Sequence, residues 1–201
     1  MRRAVAELTA AHPPLAAAVE RYGPPPMWTR RPGYATLCLM ILEQQVSLVS
    51  ARAVYTRLKR ALGSVTAHKV ARTTQGRLRR LGLTRQKARY VHELAHEVVD
   101  GELDLRALAR APDAAVRERL CALNGIGPWT ADCFLLFTLG RPDVWPPGDV
   151  ALAEGARQVL GLRERPDDER LTRLARRWAP WRSVAARLLW HHYLSERRAG
   201  R

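Results

Sequence analysis

Leu120-Cys121-Ala122-Leu123-Asn124-Gly125-Ile126-Gly127-Pro128-Trp129-Thr130-Ala131 has the form Leu-x-x-Leu-x-Gly-Ile-Gly-x-x-Thr-Ala. Two leucines three residues apart share a helix face and anchor it, and Ile126 plugs the following turn into the core. Gly125 and Gly127 permit backbone angles, and a close phosphate approach, that a Cβ would obstruct. Backbone N–H groups at the start of the next helix then point outward at an anion. A plain tight turn between helices also uses Gly-x-Gly. The anchoring leucines and the Thr-Ala continuation, in a chain this basic, favour a DNA phosphate as the guest.

Outward from this hairpin, apolar residues recur at helical spacing and strand-like alternation is almost absent, so the reading is all-α. Helices are expected at 15–21, ending at Gly23 and Pro24 to Pro26, then at 34–43 and 46–62, with Ser47 available as an N-cap. Further helices are expected at 74–81, 84–99, 105–109 and 112–121. The one at 130–139 is apolar nearly all round and should be buried. A Gly/Pro-rich loop, 140–148, precedes helices at 149–160, 167–177 and 180–197.

Composition bounds the partner. The 201 residues hold 34 Lys and Arg against 19 Asp and Glu, a net charge of +15, most of it arginine. That excess exceeds what solubility needs and points to a polyanion; arginine's planar fork favours nucleic acid over a membrane surface. Cys38, Cys121 and Cys133 are scattered, as expected of free buried thiols in a reducing cytoplasm, and no CxxC pair suggests a zinc or iron-sulfur site. No leader or membrane span is read, so a cytoplasmic, nucleoid-associated monomer is expected.

Asp149 follows the hairpin helix and the loop, after Pro146-Pro147-Gly148 and before Val150-Ala151-Leu152. A helix of ten residues rises ~15 Å, and a nine-residue loop can return the chain towards the hairpin's end, where a carboxylate would face an extruded nucleotide. Asp149 is equally well placed as a helix N-cap, and the two roles can coexist. Asp132, one turn into an apolar helix, and Asp143, mid-loop, are weaker choices.

These stretches together resemble the helix-hairpin-helix superfamily of DNA repair glycosylases, over about Gly33 to Tyr193. The resemblance implies two helical subdomains with an active-site cleft between them. Residues 1–32 would form a helical segment contributing to the second subdomain, and 33–201 the glycosylase domain. It implies that the hairpin grips phosphate through Gly125, Gly127, Trp129 and Thr130, with a structural sodium or potassium ion on the carbonyls of Cys121, Leu123 and Gly125. Asp149 would stabilise positive charge on the deoxyribose and orient water at C1′. Members with lyase activity carry a lysine where this chain has Trp129, so simple hydrolysis is expected, without strand nicking. No cysteine follows Cys133, so no iron-sulfur cluster is expected, and catalysis needs no cofactor.

Three segments resemble the alkylation-repair branch, the 3-methyladenine DNA glycosylase II type. Ile41-Leu42-Glu43-Gln44-Gln45-Val46-Ser47 resembles the element that inserts a side chain where the base is flipped out; by position this is Gln45, with Gln44 beside it. A polar helix-end cap also explains the Gln pair. Trp129 resembles a pocket wall. Arg177-Trp178-Ala179-Pro180-Trp181-Arg182-Ser183, with Trp190, resembles a further aromatic segment, although Trp178, Trp181 and Trp190 would serve equally as core. Members of the inducible type carry an additional N-terminal α/β domain, for which the residues before the match leave no room. A pocket tyrosine of some members is Cys133 here, and Trp28 and Tyr34 are the expected substitutes for that aromatic face. The expected partner is double-stranded DNA containing damaged bases. The expected activity is excision of alkylated bases; a non-catalytic protein binding distorted DNA, and a mismatch or deaminated-base glycosylase on the same scaffold, remain as alternatives.

Overall fold

In the computed structural model, residues 1–200 are described, and every regular element among them is helical. The chain divides into two compact units, one of residues Arg30–Phe134 and one of Met1–Thr29 with the chain from Leu135 on.

The first, the hairpin unit, is built on α3 (Tyr34–Glu43), whose Leu37, Cys38 and Ile41 have no accessible surface. Burying each large apolar side chain stabilises the fold by ~1.5–3 kcal/mol, which fixes this helix centrally. Around it run α4 (Leu48–Leu62), α5 (Ala67–Ala71), α6 (Gln75–Arg80) and α7 (Arg85–Val99). The N-caps are legible: Ser47 Oγ accepts from the Ser50 N–H at 3.1 Å, and Thr84 Oγ1 from the Lys87 N–H at 3.2 Å. α7 buries Ala88, Val91, Leu94 and Ala95, a single helical stripe. α8 (Leu105–Arg110) and α9 (Asp113–Cys121) lead into the hairpin, and α10 (Pro128–Phe137) leaves it.

The second, the terminal unit, contains α1 (Arg2–Ala11), α2 (Pro13–Tyr22), α11 (Val150–Val159), α12 (Asp168–Ala175), a 3-10 turn (Arg176–Trp178) and α13 (Arg182–Ala199). α13 buries the run from Ser183 to Trp190. α11 crosses it at Gly155, where a Cβ would stand 2.5 Å from the Leu189 carbonyl oxygen. Only a glycine lets the two backbones approach so closely, which fixes the start of α11 relative to Trp190.

The departures from the sequence reading are local. α1 and α5 were not expected: α1 presents a weak stripe of Ala4, Val5 and Leu8, and α5 has five residues. The hairpin helix starts at Pro128 and stops at Phe137, and the last helix starts at Arg182, not Pro180. Cys121 is exposed, so only two of the three thiols are buried. Burial pushes the Cys38 thiol up to about 12. No described helix is long and apolar enough to cross a membrane.

Candidate active site

The hairpin is held from within. Its turn closes through the Leu123 N–H donating to the Leu120 carbonyl and the Ile126 N–H to the Leu123 carbonyl, each at 3.1 Å. Leu120, Leu123 and Ile126 are all buried, as their anchoring roles require. The two glycines differ. Gly125 has φ +85°, and a Cβ there would lie 2.2 Å from Cδ2 of Tyr90. Gly127 has open space around its Cβ position, so nothing within the protein demands a glycine there. That space is on offer to a ligand.

Gln44 and Gln45 part company. The Gln44 Nε2 donates to the Gly125 carbonyl at 2.8 Å and to Thr130 Oγ1 at 3.1 Å, so this side chain braces the hairpin rather than reaching for DNA. Thr130 is only 3% exposed, and its hydroxyl is occupied in that brace, so any part it takes in holding phosphate falls to its backbone N–H. Gln45 is exposed, in the left-handed region at φ +55°, and projects from the end of α3. The turn carrying it is pinned by Lys87, whose Nζ donates to the carbonyls of Leu42 and Gln44, both at 2.7 Å. Partial burial lowers the Lys87 pKa. A cavity of about 550 Å³ lies here, lined by Gln44, Gln45, Lys87, Tyr90 and the hairpin from Cys121 to Gly127. Lys87 and Tyr90 were not singled out from sequence; they are ordinary α7 residues until the turn is seen against them.

Of the three carbonyls expected to hold a monovalent ion, that of Leu123 accepts from the Ile126 N–H and that of Gly125 from Gln44. A carbonyl oxygen has two lone pairs, so these hydrogen bonds do not by themselves use up either oxygen's capacity to accept.

In the terminal unit Asp149 is the N-cap of α11. Its Oδ1 accepts from the Leu152 N–H at 2.7 Å and from the Trp190 indole N–H at 3.2 Å. The capping role and the proximity to Trp190 are thus both present. The loop before it is braced by the C-terminal segment. Arg182 grips Asp143 through two guanidinium bonds of 2.8 and 2.9 Å, and the Val144 N–H donates to Ser183 Oγ at 2.9 Å. The Gly148 N–H donates to Asp168 at 2.6 Å. Burial opposes ionisation of Asp143, but the Arg182 guanidinium and N–H outweigh it and hold its carboxyl below the usual range. Asp132 pairs with Arg117 at 2.7 Å in the hairpin unit. Both carboxylates passed over from sequence are therefore structural.

The aromatic residues sort by environment. Trp178 is 1% exposed and packs on Trp145 at 5.4 Å, which makes it core. The Trp181 indole N–H donates to Glu7 on α1 at 2.6 Å. The Arg-Trp-x-Pro-Trp-Arg-Ser segment therefore supports the loop ahead of Asp149 instead of walling a pocket. Trp190 stacks on Phe137 at 5.3 Å while holding Asp149, and Trp28, partly exposed, meets His191 edge-on at 6.3 Å. Trp129 is 36% exposed on the first turn of α10, and Cys133 on the same helix is buried. Tyr34 is buried in the hairpin unit, its hydroxyl donating to the Val91 carbonyl at 2.7 Å. It is a core residue, which corrects its expected part in an aromatic face.

Comparison with known proteins agrees with this architecture. Residues 38–180 match the model of the HhH-GPD superfamily base excision DNA repair proteins. The crystal structure of a DNA-3-methyladenine glycosidase from Bacillus halodurans superposes with a TM-score of 0.80 at 32% identity, covering 95% of this chain and 89% of that one. The 3-methyladenine DNA glycosylase Mag1 of Schizosaccharomyces pombe, in complex with abasic DNA, gives a TM-score of 0.84 at 25% identity, with 94% and 95% covered. A DNA-3-methyladenine glycosylase of Bacillus subtilis is 25% identical over 169 residues, 78% of this chain and 56% of the relative. The chain spans a little over half the length of such curated relatives. With the match running through both the hairpin and Asp149, the chain belongs to the HhH-GPD superfamily of base excision DNA repair proteins.

Proposed function

We propose that this protein is a monofunctional DNA glycosylase that extrudes alkylated bases of the 3-methyladenine and 7-methylguanine type from double-stranded DNA and hydrolyses their N-glycosidic bond. The observation that carries the reading is Asp149, a carboxylate at the head of α11 whose Oδ1 is oriented by the Leu152 N–H and the Trp190 indole. Relatives named as 3-methyladenine glycosylases support the substrate class.

Alkylation at a purine ring nitrogen leaves the base cationic, so the C1′–N bond breaks with its electron pair passing to the base, which departs neutral. Positive charge then resides on the sugar. Asp149 stabilises that charge and orients the water that adds to C1′, losing its proton to leave an abasic site. Gln45 fills the gap left in the stack, and the open space at Gly127 admits a backbone phosphate to the N–H groups of Trp129 and Thr130. A sodium or potassium ion on the hairpin carbonyls would add positive charge beside that phosphate. Trp129 offers no amine for a Schiff base, so the strand stays intact.

The test compares the wild type with Asp149→Asn on duplexes carrying methylated purines, hypoxanthine, uracil or mispaired adenine, scoring released base and alkali-labile sites. Release by the wild type, lost in the variant while damaged DNA is still bound, is the expected result. No release from any duplex would establish a binding-only protein, and strand cleavage without alkali would contradict the assignment of simple hydrolysis.

A further inference from the structure

Between Gln44 and His92 there are twelve lysines and arginines and not one aspartate or glutamate. Most of the chain's net charge of +15 thus sits in the segment that forms α4 to the first half of α7. Elsewhere, basic side chains are commonly matched by acids, as in Arg157 with Glu154, Arg182 with Asp143 and Arg117 with Asp132. In this segment Arg89 reaches Glu93, whereas Arg57, Arg77, Arg79, Arg80 and Arg85 are exposed and have no ion-pair partner among the described residues.

The placement of these arginines is continuous with the hairpin. Gln86, Lys87 and Tyr90, on the first turns of α7, line the cavity that the hairpin shares. Arg85 starts that helix, α6 with Arg77, Arg79 and Arg80 packs against it, and Arg57 closes the far end by donating to the Leu81 carbonyl at 3.0 Å. Three unpaired guanidinium groups on a six-residue helix repel one another, a cost that binding a polyanion removes. The one large apolar residue of α6, Leu78, is fully buried, so the helix presents charge with no apolar face for a bilayer.

We infer that α6 and the start of α7 form a second DNA-holding surface, which takes the backbone phosphates of undamaged duplex outside the lesion site. The inference rests on the DNA reading above but not on the chemistry at Asp149. This surface contributes sequence-independent affinity, tethering the protein to intact DNA while Gln45 and the hairpin test for lesions.

The decisive variant is Arg77→Gln/Arg79→Gln/Arg80→Gln, with Arg77→Lys/Arg79→Lys/Arg80→Lys as the charge-conserving control. Binding is measured on undamaged duplexes of ~10 and ~30 base pairs across a salt series, in which each lost phosphate contact lowers the slope of log K against log salt by about 0.9. The Gln variant is expected to lose at least tenfold affinity for the long duplex, with a slope shallower by two to three, and little affinity for the short one. Its melting temperature should be unchanged or higher, the Lys variant should retain binding, and single-turnover excision at saturating enzyme should match wild type. Unchanged affinity and slope on the long duplex would overturn the inference, as would tighter wild-type binding to phosphatidylglycerol vesicles than to the long duplex. Failure of the wild type to release any base would refute the glycosylase reading and leave this one standing.

Discussion

The same substitution at two glycines of one turn should break two different things. In Gly125→Ala the new Cβ meets the Tyr90 ring at 2.2, 2.6 and 2.8 Å, and the backbone there sits at φ +85°. The ring atoms concerned include Cγ, so a rotation of the ring cannot clear them, and the Tyr90 hydroxyl is held by Gln86 at 2.7 Å. Left-handed backbone costs a non-glycine residue ~1–2 kcal/mol, and overpacking adds ~1–3 kcal/mol. At ~2–4 °C per kcal/mol for a chain of this size, the melting temperature should fall by roughly 4–20 °C. Adding Tyr90→Ala should return the steric part. In Gly127→Ala the Cβ enters open space, so the melting temperature should hold within ~2 °C. On the proposed function that methyl group would take the place of a DNA phosphate, and losing one charge-assisted hydrogen bond of ~1.5–3 kcal/mol should weaken DNA binding about 10- to 100-fold. Thermal melting and duplex binding on both variants decide the matter. A Gly125→Ala protein as stable as wild type, or a Gly127→Ala protein that binds DNA undiminished, would refute the reasoning.

Gln44→Ala should weaken DNA binding by loosening the hairpin, whereas Gln45→Ala should slow excision in single-turnover assays and bind undamaged duplex almost normally; identical profiles would show that the two are not divided between brace and wedge. Arg187 is 3% exposed, donates to the carbonyls of Met27 and Leu136, and lies over the Phe137 ring at 5.0 Å. Arg187→Met leaves two carbonyls unpaired and should cost ~2–4 kcal/mol in denaturant unfolding, with Arg187→Lys losing less. Burial depresses the His192 pKa below its ordinary 6.5 in spite of the nearby Glu196. Its contribution to stability is fully present above the unfolded value and is lost as the pH falls from there through the depressed folded value. Melting temperature should therefore drop on acidification from pH ~7.5 to ~5.5, and His192→Gln should flatten that part of the profile.

What the sequence by itself determined is whatever depends on near neighbours in the chain. The hairpin is written in twelve consecutive residues because its turn, its anchors and its N–H donors are all set by local backbone geometry. The capping position of Asp149 is equally local, as are the caps at Ser47 and Thr84. The packing of the helices decided the rest. Sequence spacing cannot say that Gln44 spends its amide 81 residues away on Gly125, that Lys87 pins the turn of Gln45, or that Trp190 reaches back 41 residues to Asp149. It also could not separate the tryptophans, since an aromatic side chain suits a core or a pocket equally, and only the surroundings make Trp178 core and Trp190 a partner of the carboxylate. A side chain's reach is settled by which helix face lands opposite it, and that is fixed only when burial of all the apolar stripes is satisfied together.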